Sequence, residues 1–226
     1  MAKKLYEESD IQAIADAIRE KTGDTTTYTV AEMGGEISSN TIFYGLFQGT
    51  YPSNGILVDD ELEYTYIPIF YRSEAIKSAT FNKLKSCSNS GLFYHSSIEE
   101  VYMPIIQTLG TSAFQDCSAL HTAYLPNAIL DSWNFYGCKK LTKLEFNNTN
   151  IGTNTFQNSG LNTLILRNSS VATLKNISAF YGTPIASGTG YIYVPDDLVE
   201  SYKVATNWST YADQIKPLSE YVEEEV

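Results

Sequence analysis

Apolar residues recur with a fixed spacing through the middle of the chain. Phenylalanine returns every 21 residues from position 93 to position 156, and once more at position 180 after a gap of 24. Each of the first four is followed three positions later by a small residue and then by apolar residues spaced as on a short strand. A period of about 20–29 residues predicts a solenoid with one short strand per repeat. The phenylalanines are Phe93, Phe114, Phe135, Phe156 and Phe180, and the small residues are Ser96, Cys117, Cys138 and Ser159.

The repeat at 113–126 shows how these residues build one coil. Leu120, Ala123 and Leu125 share one side of a strand because side chains alternate along it. Phe114 reaches the same interior from the opposite wall. One coil cannot bury its own apolar face, so we expect equivalent residues of stacked coils to form ladders. An aliphatic residue five or six positions before the phenylalanine completes the coil: Leu109, Leu130, Ile151 and Leu174.

The pattern Ala-Phe-x-x-Cys-x-x-Leu-x-x-x-x-Leu-Pro at residues 113–126 resembles the BspA-like (treponemal type) leucine-rich repeat. Residues 134–146 match less fully because they lack the proline. Residues 155–161 have one residue fewer than the pattern between the serine and the leucine. The resemblance implies a right-handed solenoid used for binding rather than catalysis. It also implies a bacterial surface protein, a secreted protein or a protein encoded by a bacteriophage genome.

Residues 1–39 carry the pattern of a separate helical module. Ser9–Gln12 and Thr29–Glu32 are capping boxes, and each predicts the start of a short helix. Two such helices bury too little apolar surface to fold alone, so their apolar stripe must be covered by the rest of the chain, by another copy or by a different protein. This predicts an attachment or oligomerisation module. Its apolar residues are Ile11, Ile14, Ile18, Val30, Met33 and Ile37.

The same module resembles the N-termini of bacteriophage structural proteins from Gram-positive gut bacteria. The resemblance rests on residues 14–23 (Ile-Ala-Asp-Ala-Ile-Arg-Glu-Lys-Thr-Gly), on residues 28–33 and on Ile37. It implies a tail, fibre or baseplate protein that binds other virion proteins.

The remaining segments complete a mixed α/β architecture. Residues 40–75 are rich in aromatic and β-branched residues and predict a small β cap. Residues 76–195 form the predicted solenoid, with Ile76 and Phe81 as the pair of an irregular first repeat. Residues 196–226 predict a helical cap that begins at Asp196 and Asp197 and folds Trp208 and Tyr211 over the last coil. The final glutamates are interpreted as a solvated tail without a site.

Outward positions of the predicted strands form a candidate binding stripe. Two interpretations stay open. Stacked tyrosines suit a glycan or a host surface protein, whereas a solvated sheet with favourable cross-strand pairs needs no ligand. The stripe consists of Tyr102, Tyr124, Glu145, Ile165 and Tyr193, preceded two positions earlier by Glu100, Thr122, Lys143 and Thr163.

Charge and composition narrow the choice of partners. The net charge is −11 without a basic cluster, which argues against nucleic acid and anionic membranes. No apolar run approaches 18 residues, so we expect no membrane insertion. The first residues lack the apolar core of a signal peptide, so we expect synthesis in the cytoplasm without export by the usual route. The 17 tyrosines suit either a recognition surface or ordinary solenoid and strand positions, and both interpretations stay open.

Nothing in the pattern predicts catalysis, a metal site or a cofactor. Cys117 and Cys138 occupy equivalent repeat positions and are expected to be buried and reduced. His95 and His121 fall at different repeat positions and are interpreted as solvated. The carboxylates of residues 59–61 fit a turn. Two functions stay open: a bacteriophage virion protein that adheres to its host, or a bacterial cell-surface adhesin or secreted binding protein.

Overall fold

The computed structural model describes residues 54–60, 62–65, 69–88, 90–147 and 150–223. Residues from Ile56 onward belong to one compact unit. The predicted helical module at 1–39 and the beginning of the predicted β cap, up to residue 53, lie outside the described residues.

The unit is a stack of coils whose strands all pair in parallel. One wall contains the main strands and a second wall contains strands of two residues. The main strands are β1 (Ile56–Asp59), β3 (Ser78–Phe81), β5 (Glu100–Tyr102), β7 (Thr122–Tyr124), β8 (Lys143–Phe146), β10 (Thr163–Leu166), β12 (Tyr191–Val194) and β13 (Ile215–Pro217). The short strands are β2 (Tyr64–Thr65), β4 (Ser86–Cys87), β6 (Thr108–Leu109), β9 (Asn150–Ile151) and β11 (Thr173–Leu174).

The main strands form two four-stranded sheets. The first sheet has the order β1-β3-β5-β7 and the second has the order β13-β12-β10-β8. On the other wall, β2-β4-β6 and β11-β9 form small sheets, and Leu130 bridges to Ile151 between them. The solenoid is therefore confirmed, but the prediction of one strand per repeat is wrong. Leu109, Ile151 and Leu174 lie on second strands, and Leu130 lies in an isolated bridge, because parallel pairing of adjacent coils satisfies their backbones.

The first coil begins at Ile56, so residues 56–75 are not a separate β cap. β1 pairs in parallel with β3, and Phe70 stacks on Phe93 with ring centroids 4.8 Å apart. Phe81, predicted to be a ladder phenylalanine, instead ends β3 opposite Asp59 and is buried in the strand wall. The gap of 23 residues between Phe70 and Phe93 hides this coil from a search for a 21-residue period.

The interior is organised by six phenylalanines in one column. Consecutive ring centroids lie 4.8–5.9 Å apart, with interplanar angles of 10–20°. The last ring meets Trp208 at 6.1 Å and Tyr211 at 5.1 Å. Each pair of this kind contributes about 0.5–1.5 kcal/mol beyond area burial. The column consists of Phe70, Phe93, Phe114, Phe135, Phe156 and Phe180, all of them buried.

The small residue after each phenylalanine satisfies backbone groups inside the core. The Cys117 thiol donates to the Phe93 carbonyl at 2.8 Å, and the Cys138 thiol donates to the Phe114 carbonyl at 3.1 Å. Both cysteines are buried and unpaired, as predicted. Burial raises the pKa of Cys117 to about 11 and that of Cys138 well above its ordinary value.

The residue two positions after each phenylalanine adopts a left-handed backbone. At Gly137 a Cβ atom would overlap the Asp116 carboxylate of the preceding coil, and at Gly182 it would overlap the Asn158 amide. Side chains at this position therefore reach across to the next coil, as in the contact of His95 Nε2 with Asp116 Oδ2 at 3.2 Å. The positions are Arg72, His95, Asp116, Gly137, Asn158 and Gly182.

The C-terminal segment covers the last coil, as predicted. The helix α1 (Val199–Val204) is followed by a 3-10 helix over Trp208–Gln214, and Trp208 Nε1 donates to the Ala172 carbonyl at 2.6 Å. Two details differ from the prediction. The segment adds the strand β13 to the second sheet. The Asp196 carboxylate does not cap the helix but accepts the Ser219 amide hydrogen at 3.1 Å.

Replacing one ring of the column should open a large cavity. We expect Phe135→Ala to lower the free energy of unfolding by about 3–5 kcal/mol, because both neighbouring rings lose their contact. The control Tyr181→Ala removes an exposed ring next to Phe180 and should cost less than about 1 kcal/mol. Urea unfolding measures both. A loss below about 1 kcal/mol for Phe135→Ala would contradict the column.

The buried thiol at 117 should make stability fall at alkaline pH. The folded-state pKa of Cys117 is raised above the ordinary 9.0. The protonated thiol therefore stabilises the folded state fully below pH 9, and this stabilisation is lost as the pH rises toward about 11. Cys117→Ser keeps a donor for the Phe93 carbonyl but does not ionise. Between pH 8 and pH 10 the free energy of unfolding of this variant, measured with urea, should fall by about 1 kcal/mol less than that of the natural chain. Equal losses would contradict this assignment.

Candidate binding surface

Four of the predicted stripe residues lie together on the outward face of the first sheet. Register places Tyr102 opposite Tyr124 and Glu100 opposite Thr122. The two tyrosine rings stack with centroids 4.9 Å apart and an interplanar angle of 9°. Their exposed fractions are 44% and 47%. This group, called the open face below, presents a flat aromatic surface beside a carboxylate and a hydroxyl.

The open face continues into residues that sequence reasoning missed. Ile56 and Val58 are exposed on β1, and register aligns Val58 with Thr80 and Thr80 with Tyr102. The alternation of exposed and buried residues along β1 is visible in the sequence as a short strand, but these residues were assigned to the β cap. The open face is therefore aliphatic at one end and aromatic at the other.

The other five predicted stripe residues lie on the second sheet and do not share one exposure. Lys143 and Glu145 are exposed, whereas Thr163 and Tyr193 are half-buried. Ile165, predicted to be exposed, is fully buried although Leu164 and Leu166 on either side point inward. An outward residue can be buried only if something covers that face, and Tyr221 of the C-terminal tail contacts Tyr193 and Lys143 on the two strands that flank β10.

The C-terminal tail crosses the second sheet, while its residues Glu220 and Glu223 stay exposed to solvent. The Tyr221 ring packs edge-on against the Tyr193 ring at 5.1 Å. The Lys143 ammonium lies 5.1 Å from the centre of the Tyr221 ring and 3.2 Å from Glu223 Oε1. The pKa of Lys143 is raised by its hydrogen bond with Tyr221, despite partial desolvation, and by Glu223. The face of the second sheet and these tail residues are called the covered face below.

Two more cations lie at the covered face. Arg167 Nε donates to Glu145 Oε1 at 2.5 Å, and the Lys216 ammonium lies 5.9 Å from the centre of the Tyr191 ring. The bond to Glu145 raises the pKa of Arg167. These groups are largely exposed, so each pair stabilises the fold by about 1 kcal/mol or less. The positions of these cations on the covered face therefore bear more on ligand recognition than on the stability of the fold.

A second group of surface aromatics, of which Tyr71 and Trp133 are exposed and Tyr94 and Tyr136 half-buried, follows the phenylalanine column and was also missed. Tyr71 and Tyr94 stack with centroids 5.1 Å apart and an interplanar angle of 8°, and Trp133 lies 5.2 Å from Tyr136. The signal in the sequence is a tyrosine directly after the phenylalanine in four of the six coils. This group matches the open face in geometry but lies at a different repeat position.

Within the part of the chain that the structure describes, no three histidine, cysteine or acidic side chains form a group suited to a metal ion. The carboxylates around residue 59 serve local structure, since Asp59 accepts the Leu62 amide hydrogen at 2.8 Å and Asp60 accepts from Asn82 at 2.6 Å. Among the described helices, none has the length and apolar composition needed to cross a membrane.

Stacked parallel coils that repeat about every 21 residues and carry a ladder of one residue type are features of the leucine-rich-repeat class of protein. The chain belongs to the BspA type leucine-rich repeat family, whose model matches six copies over residues 40–162 and 124–189. The match begins before the solenoid predicted from the sequence, in agreement with a coil at Ile56. The comparison with curated proteins finds no match. Membership of this family is consistent with a binding or adhesin-type surface protein.

Proposed function

We propose that this chain is a non-catalytic binding protein whose open face attaches to a glycan or protein on a bacterial surface. The observation that carries the proposal is the stacked, exposed pair of Tyr102 and Tyr124 with Glu100 and Thr122 beside it. Aromatic rings offer contact area to the C–H faces of sugars or to apolar side chains, and the polar neighbours offer hydrogen bonds.

Rigidity supports a recognition role for this pair. Both tyrosines stand on strands whose backbones are held by parallel pairing, and the phenylalanine column lies behind them. Little side-chain freedom remains to be lost when a ligand binds, and this loss is one of the main costs of association. A pre-positioned aromatic pair therefore favours binding more than the same residues on a loop would.

The particle in which this face is presented is proposed to be a bacteriophage virion. Support comes from the N-terminal sequence, where residues 14–23 and 28–33 resemble bacteriophage structural proteins. In this proposal the apolar stripe that begins at Ile11 binds other virion proteins or other copies of the chain. The solenoid then faces the host as part of a tail, fibre or baseplate.

A bacterial cell-surface adhesin or secreted binding protein is the second candidate, and it is favoured by the family match itself. Mass spectrometry of purified phage particles and of washed cell surfaces from the same culture separates the two. Recovery of the chain in particles supports the virion proposal. Recovery only at the cell surface or in the medium contradicts it and supports the second candidate.

Loss of the tyrosine pair should weaken binding without unfolding the protein. We expect Tyr102→Ala with Tyr124→Ala to weaken binding to whole bacteria about 5- to 150-fold, since each ring contributes about 0.5–1.5 kcal/mol. The matched control is Tyr71→Ala with Tyr94→Ala, which removes a stacked tyrosine pair of the same geometry elsewhere. Fluorescence-detected cell binding measures both. Equal losses in the two variants would contradict a role for the open face.

The N-terminal module should be required for attachment and not for folding of the solenoid. We expect a chain that starts at Asn40 to stay folded but to become monomeric and to lose co-sedimentation with phage particles. Ile14→Asp with Ile18→Asp should behave alike, whereas Glu20→Lys, which changes a charge off the apolar stripe, should not. Light scattering measures the oligomeric state, and co-sedimentation measures attachment to phage particles. A shortened chain that still oligomerises and attaches would contradict the anchor.

A further inference from the structure

The C-terminal tail follows a path that solenoid capping does not require. After β13 the chain makes a 3-10 turn over Leu218–Glu220 and then runs back across the second sheet. Tyr221 contacts Tyr193 on β12, and Glu223 reaches Lys143 on β8, so the tail passes over β10 between them. The last coil is already covered by Trp208 and Tyr211, which lie against Phe180.

The outward face beneath the tail is shaped as an apolar floor with a charged rim. Ile165 forms the floor, where register aligns it with Glu145 on one side and Tyr193 on the other. Lys143 stands at the rim, and Arg167 is held there by Glu145. In a chain of net charge −11, this gathering of cations is complementary to an acidic segment that carries an aromatic residue.

The tail is held at its root and weakly at its end. Asp196 accepts the Ser219 amide hydrogen, which fixes the start of the tail to the cap. Beyond Tyr221 the contacts are exposed: the Glu223 side chain is 81% exposed, and Val222 is 79% exposed. Exposed ion pairs contribute little free energy. A tethered segment of this kind occupies its site through high effective concentration and can be exchanged.

We propose that the covered face is a second binding site, specific for an extended acidic segment of a partner protein in which an aromatic residue precedes a carboxylate by two positions. The chain's own Tyr221-Val222-Glu223 fills the site until the partner segment displaces it. Tyr193 receives the aromatic ring and Lys143 receives the carboxylate, while Ile165 provides the apolar floor. This site is distinct from the open face, so the two proposals fail independently.

The test uses a fluorescent peptide that corresponds to residues 217–223 (Pro-Leu-Ser-Glu-Tyr-Val-Glu) and a chain shortened to end at Glu220. The shortened chain should bind the peptide at least about tenfold more tightly than the intact chain, in which the tethered tail competes at millimolar effective concentration. NMR shift changes should map to β8, β10 and β12. The full-length variant Tyr221→Ala with Glu223→Lys detaches the tail without shortening and should show the same gain.

Charge exchange provides the specificity control. In the shortened chain Lys143→Glu should weaken peptide binding about tenfold, because like charges then face each other. A peptide whose last glutamate is replaced by lysine should bind the Lys143→Glu variant as tightly as the original peptide binds the unsubstituted shortened chain. The matched control Lys77→Glu makes the same charge change beside the first sheet and should leave binding unchanged.

Three results would overturn the proposal. The first is absence of peptide binding to both tail-detached variants, with circular dichroism and urea unfolding showing that they are folded. The second is equal binding to the intact and tail-detached chains, since the tail would then not occupy the site. The third is dimerisation of the intact chain that Lys143→Glu abolishes, because the occupant would then be the tail of a second copy rather than a foreign segment.

Discussion

The face-to-face column of six phenylalanine rings is the constraint on which the rest of this structure depends. Its spacing of 4.8–5.9 Å is close to the separation of paired strands, so rings and strands rise by a similar step from coil to coil. Every other repeat position then recurs at the same height. The cysteine thiols reach the carbonyl of the preceding coil. Outward residues such as Tyr102 and Tyr124 are brought into stacking distance by the spacing of the coils alone.

Much of the solenoid could be predicted because its signal is periodic. Phe93 to Phe180, the small residue that follows and the covering Trp208 and Tyr211 were all placed correctly. The coil that begins at Ile56 was missed because the gap between Phe70 and Phe93 is longer than 21 residues and because Thr65 takes the place of an aliphatic residue. The second strands β2, β4, β6, β9 and β11 were missed because two residues are too few to show alternation.

The surface was predicted less well than the core, for a physical reason. Alternation along a strand states which way a side chain points but not what lies above it. Ile165 was predicted to be exposed and is nevertheless buried, on a strand whose two neighbours are both contacted by the tail. The tail itself has no periodicity, and its glutamates carry the composition of a solvated segment. The contact between Glu223 and Lys143 joins residues 80 positions apart, which no local pattern records.

The left-handed position after each phenylalanine bears on how such a chain changes in evolution. Gly137 leaves the space that the Asp116 carboxylate occupies, and Gly182 does the same for the Asn158 amide, whereas His95 Nε2 contacts Asp116 Oδ2. The coils are thus fitted to particular neighbours, although their cores are interchangeable. A duplication or loss of a single coil would join side chains that have not been selected together. Length variation in this solenoid is therefore expected to occur in blocks that keep these neighbouring pairs intact.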